Sequence, residues 1–70
     1  MSHRSPVGHL AQTYTGKRLP LEVLLSAAGH YIGTRDEVGP VSRESVQYFR
    51  SDKAASRALE TGRWQQRTYP

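Results

Sequence analysis

The sequence predicts a small α+β protein: a three-stranded antiparallel sheet with one C-terminal helix packed on one of its faces. Three observations predict it. The runs His30-Tyr31-Ile32-Gly33-Thr34 and Glu44-Ser45-Val46-Gln47-Tyr48-Phe49 are rich in aromatic and β-branched residues, as strands are. They flank Asp36-Glu37-Val38-Gly39-Pro40, a cluster of turn formers. From Ser51 the spacing becomes helical, with Ala54, Ala55, Ala58 and Leu59 making one apolar stripe.

Each element can be justified in chain order. Residues 1–18 carry only Val7, Leu10, Ala11 and Tyr14 as widely spaced apolar groups, too few to offset the entropy of ordering the segment. They are expected to form a flexible basic tail; one turn of helix carrying Leu10 and Tyr14, four apart, is the other reading. Residues 19–29 admit both periods. Leu21, Leu24, Leu25 and Ala28 sit at helical spacing, with Pro20 and Gly29 at suitable ends, while Leu21, Val23, Leu25 and Ala27 alternate as in a strand. A strand is the preferred reading, because two strands alone are marginal in water and a third makes a viable sheet.

In the helix that follows, Ser51 suits the N-cap. Asp52 places negative charge at the positive end of the dipole, and Gly62 suits the far end. Trp64 comes just past the stop and is expected to fold back as the largest plug of the core. The resulting organisation is a tail at 1–18, an α+β domain at 19–66 and a C-terminal tail at 67–70. That ordered length lies near the limit of roughly 40 residues below which chains need a metal, disulfides or a partner, so homodimerisation is expected to help.

Register decides which face is free. Pairing Ile32 with Val46 puts both beneath the helix and leaves Tyr31, Gly33 and Arg35, with Arg43, Ser45 and Gln47, on the uncovered side. A tyrosine beside arginines suits an anionic or planar partner. Tyr31, Arg35, Arg43 and Gln47 are therefore the expected partner-binding residues.

The chain has 70 residues and no cysteine, which excludes a large enzyme fold and a disulfide scaffold. His30, Ser42, Ser45 and Asp36 supply the residue types of a hydrolytic triad, but no nucleophile elbow accompanies them. His3, His9 and His30 lack both cysteine partners and helical i, i+4 spacing, so no metal site is expected. The glycines match neither a phosphate loop nor a dinucleotide fingerprint, and no cofactor is expected. The expectation is a non-enzymatic module. No run approaches the roughly 20 apolar residues of a membrane span, and the N-terminus lacks the apolar core of a secretory signal. Cytoplasmic residence is therefore expected, with no membrane partner.

The net charge is +4, and its excess sits at the ends: residues 1–20 hold Arg4, Lys17 and Arg18 without an acid, and the last ten hold Arg63 and Arg67. Residues 21–60 carry five basic and six acidic groups. A nucleic-acid binder more usually carries its positive field on the folded body. As the alternative function, an accessory nucleic-acid binder would use Lys17, Arg18, Arg50, Lys53, Arg57, Arg63 and Arg67, together with sheet arginines. The tail Arg63-Trp64-Gln65-Gln66-Arg67-Thr68-Tyr69 interleaves cations with aromatics, as single-strand binders do.

Gly29-His30-Tyr31-Ile32-Gly33-Thr34, Gly39-Pro40-Val41-Ser42-Arg43-Glu44-Ser45, Tyr48-Phe49, Ala55, Ala58-Leu59 and Gly62-Arg63-Trp64 together carry a resemblance. The pattern, over residues 19–67, resembles a group of short uncharacterised bacterial proteins associated with plasmids and mobile elements of proteobacteria. The resemblance implies a bacterial cytoplasmic protein and assigns no activity or site residue. The leading functional expectation is thus an interaction module that binds another protein, or its own copy, through the exposed sheet face or a sheet edge.

Overall fold

The computed structural model describes residues 7–69, so most of the tip of the expected N-terminal tail, including His3 and Arg4, lies outside the described residues. The elements run α1 (His9–Thr15), β1 (Glu22–Ser26), β2 (Gly29–Arg35), β3 (Pro40–Arg43) and α2 (Asp52–Thr61). The strands form one antiparallel sheet in the order β1-β2-β3. The α+β class is as expected, with one helix more: α2 lies against β1 and β2, and α1 against β3.

The ambiguous segment is a strand. β1 and β2 are joined by Ala27-Ala28, with Ser26 opposite Gly29, Leu25 opposite His30, Leu24 opposite Tyr31 and Val23 opposite Ile32. Gly29 has φ 132°, a conformation that a side chain would strain. The next turn is built by Asp36, whose Oδ1 accepts from the N–H groups of Val38 at 2.9 Å and Gly39 at 3.2 Å. Helix α2 starts and stops at the expected signals. Ser51 Oγ accepts from the Ala54 N–H at 3.0 Å, and Gly62, at φ 74°, donates its N–H to the Ala58 carbonyl. Ala55 and Ala58 are its buried residues.

Three expectations are corrected. First, part of the expected flexible tail is α1, which buries Leu10 and Ala11 while Tyr14 stays exposed. Its start is held from afar: the Leu10 and Ala11 N–H groups, free at a helix N-terminus, donate to the two carboxylate oxygens of Glu44 at 2.8 and 3.0 Å. Apolar spacing within the segment carries no trace of that anchor.

Second, the third strand is Pro40–Arg43, before the expected run, and Ile32 does not pair with Val46. Gly33 faces Arg43 and Thr34 faces Ser42, with an irregularity between Thr34 and Arg35. The Ile32 carbonyl accepts from both the Glu44 and the Ser45 N–H at 2.9 Å, so two residues oppose one, as in a bulge. Pairing resumes only at the His30–Phe49 bridge. Ile32 is buried as expected, but Val46 is 48% exposed and donates its N–H to the Gln65 carbonyl.

Third, Trp64 is only half-buried. The largest fully buried side chains are Leu10, Ile32, Glu44, Thr34 and Ser45. Beyond Gly62 the chain is drawn alongside residues 44–46: Ser45 bridges Gln66, and the Arg67 N–H donates to the Glu44 carbonyl at 2.7 Å. That pairing carries the chain beside the sheet, and Arg67, expected in the C-terminal tail, is pinned by it.

Candidate interaction face

The three buried polar residues, Thr34, Glu44 and Ser45, set the stage for the face beside them. Glu44 lies wholly inside. Its carboxylate accepts from Leu10, Ala11, the Ser42 hydroxyl at 2.5 Å and the Gln66 amide at 2.7 Å. Burial by itself would push this carboxyl up, and the four donated bonds together outweigh it, holding the group below the ordinary glutamate range. Ser42 is also within 2.6 Å of the Thr34 hydroxyl, and Ser45 Oγ accepts from the Ile32 N–H while donating to the Gln47 carbonyl. Among the described residues, no buried side-chain nitrogen or oxygen lacks a partner. Gly8 permits this arrangement, because a Cβ there would collide with the Thr34 methyl and the Glu44 carboxylate.

From this seam the chain emerges as an aromatic and cationic cluster. Gly33 leaves room for the Tyr31 ring, which a Cβ at 33 would meet at 2.8 Å. The Tyr48 ring stands edge-on to Tyr31, with centroids 6.1 Å apart and planes at 77°. The Arg43 guanidinium lies 4.6 Å from the centre of the Tyr48 ring and donates to the Val46 carbonyl at 3.2 Å. Arg67 in turn donates from Nη1 to the Arg43 carbonyl at 3.3 Å. Beside it Val46, Gln66, Arg67, Thr68 and Tyr69 line a shallow hollow of about 360 Å³. The Tyr31 hydroxyl is pushed up chiefly by burial, with Tyr48 adding to the effect and Arg43 opposing it.

The expected partner-binding residues are therefore divided. Tyr31, expected in solvent, is 7% exposed, because the glycine beside it lets the ring lie flat and Tyr48 stands against it. Arg43 shares the cluster but is half-buried. Gln47 is half-buried too, its Oε1 accepting from the Gln65 N–H at 3.0 Å. Arg35 lies elsewhere, exposed, with its Nε 3.3 Å from Glu22. It does not face Arg43 across the sheet: Arg35 is opposite Pro40.

The residues expected to contact nucleic acid scatter likewise. Lys17 pairs with Asp36 at 2.6 Å, which raises the lysine and holds the aspartate down at about 2, chiefly through that hydrogen bond. Arg18, Arg50 and Arg63 are exposed, and so are Lys53 and Arg57, which with Ser51 and Ala54 line a second hollow of about 420 Å³ at the start of α2. Arg67 alone joins the aromatic cluster. Tyr48, Val46 and Tyr69, which sequence reasoning did not select, complete it. Their signal was partly available in the alternation of arginine and aromatic residues near the C-terminus, but Val46 and Tyr48 reach the surface only because of the bulge.

Among the described residues no group of three or more His, Asp or Glu side chains is placed to hold a metal ion, and no helix is long and apolar enough to cross a membrane. Comparison of the chain with protein-family models, curated proteins and solved structures gives no match.

Proposed function

We propose that the chain is a non-enzymatic interaction module of bacterial cytoplasm, binding a protein partner through the face formed by Arg43 and Tyr48 and rimmed by Val46, Arg67 and Tyr69. One observation carries the reading. Arg43 is stacked on Tyr48 and tied to the Val46 carbonyl, while no carboxylate of the described residues is within ion-pair distance of it. A guanidinium ordered in advance and left without an anion loses little further freedom when a partner arrives. Arginine and tyrosine are also the residue types that carry most binding energy at protein interfaces. Tyr48 is 44% exposed and Tyr69 69%, so aromatic surface is open to contact.

A second reading draws on the hollow between Lys53 and Arg57, whose cations suit phosphate. It makes the chain an accessory nucleic-acid binder. Affinity capture from nuclease-treated lysate of the source cell separates the two. The expected result is one retained protein that Arg43→Ala and Tyr48→Ala each lose at least tenfold while both variants keep the wild-type circular dichroism. Retention at the wild-type level by both variants would contradict the proposal. Loss of all binding on nuclease treatment, with salt-sensitive affinity for a short single-stranded oligonucleotide, would favour the second reading.

A further inference from the structure

We propose that the outer edge of β1 pairs antiparallel with β1 of a second copy of this chain, joining two three-stranded sheets into one of six strands. The surface is separate from the Arg43–Tyr48 face, and the inference does not depend on that face.

The hydrogen-bonding parity of the sheet leads to it. In β2, His30 exchanges both backbone bonds with Phe49, at 3.1 and 2.7 Å, and the Ile32 carbonyl accepts from Glu44 and Ser45. The Ile32 N–H donates to Ser45 Oγ at 3.0 Å. These groups therefore point away from β1, and the groups that bond β1 belong to Gly29, Tyr31 and Gly33. Their opposite numbers are Ser26, Leu24 and Glu22. Val23 and Leu25 must then direct their N–H and C=O outward, and among the described residues no strand lies beyond β1 in the sheet.

Natural edges are usually guarded by lysine, proline, a bulge or a covering element. β1, with the sequence Glu-Val-Leu-Leu-Ser, has none of the first three, and Leu25 is 69% exposed. It is also complementary to itself. Centring the pair on Leu24 sets Val23 of each copy opposite Leu25 of the other, where the outward groups of both can form hydrogen bonds. Val23 and Leu25 share the side of the sheet that carries His30 and Ile32, so the four aliphatic side chains form one stripe. Leu24 meets its own copy on the reverse side. Glu22 falls opposite Ser26, so no like charges are opposed, and Glu22 already has Arg35 at 3.3 Å.

The rival occupant is the chain's own residues 1–6, which precede the antiparallel Val7–Pro20 bridge just before β1. Their sequence, Met-Ser-His-Arg-Ser-Pro, has only Met1 to set against the stripe, and Pro6 cannot donate.

Residue-resolved amide exchange across a concentration series, with sedimentation of the same samples, decides the matter. The expected result is a dimer at high concentration in which the Val23 and Leu25 amides gain roughly tenfold protection over the dilute protein. The Leu24 amide, bonded within the sheet, should be protected throughout. Leu25→Pro removes an N–H that β2 does not use, and Leu25→Lys keeps that N–H but puts a charge in the stripe. Each should weaken the dimer at least tenfold and leave Leu24 protected. Three results would overturn the proposal: Val23 and Leu25 open at every concentration, a dimer in which they stay open, or equal protection at every concentration in a monomer. The last would assign the edge to residues 1–6.

Discussion

The two sides of the sheet are finished in opposite ways. On the β3 side, Glu44 gathers the start of α1, the Ser42 hydroxyl and the Gln66 amide around one buried carboxylate. On the β1 side, no described strand lies beyond the edge, and Leu25 is 69% exposed. A buried ionised group must be satisfied by its surroundings or it destabilises the fold, and here three separated stretches of chain supply the donors. The contrast teaches that stability is concentrated where polar groups are enclosed, and the Arg43–Tyr48 face and the described edge of β1 lie outside that enclosed network.

Substitutions can break that contrast, and the largest effect is expected at Glu44. Glu44→Ala leaves two helix N–H groups, a hydroxyl and an amide without their acceptor. Loss of a buried, charge-assisted set of this kind should cost about 3–5 kcal/mol, read by urea denaturation. Gly8→Ala tests the same region sterically. The added methyl meets the Thr34 methyl and the Glu44 carboxylate, and such overpacking should cost about 1–3 kcal/mol in the same assay.

Acid titration sharpens the comparison without changing the sequence. Glu44 is held below its ordinary range, so its contribution to stability is complete above the unfolded-state value of about 4.3 and disappears as pH falls through the lower folded-state value. The urea midpoint should therefore drop as the solution is acidified from about 4.3 down through that lower value. Glu44→Gln should start from lower stability and show a shallower acid slope; an unchanged slope would place the linkage on other carboxylates. Asp36, held at about 2 by Lys17 and two backbone N–H groups, has the same sign and contributes over the window between its ordinary value and about 2.

How much of this was legible follows from the range of each interaction. The caps of α2 were readable because Ser51 and its Ala54 donor are three residues apart, and the turn at Asp36 because its donors are equally close. The strand character of residues 22–26 was readable only from its neighbours, since its own spacing fits a helix as well. Helix α1 was legible only as the second reading of its segment, the turn carrying Leu10 and Tyr14, because what holds it is distant: Leu10 and Ala11 lie 34 and 33 residues from the carboxylate that caps them. The register failed for a related reason. The expected register, chosen to bury two aliphatic residues together, puts Val46 opposite Ile32, but the observed pairing of Gly33 with Arg43 brings Glu44 there, Ser45 turns in to the same carbonyl, and the alternation of faces is lost beyond them. Tyr31 was assigned to the correct side, beside Gly33 and Arg43, yet it is buried there, since Gly33 makes room for its ring.

The division between a stabilising side and a spare one is tested most directly by urea denaturation of Glu44→Ala and Arg43→Ala side by side. Arg43 makes one ring contact and one carbonyl bond at the surface, so its loss should cost about 1 kcal/mol or less, against about 3–5 kcal/mol for Glu44. Equal losses, or a larger loss from Arg43→Ala, would contradict the account.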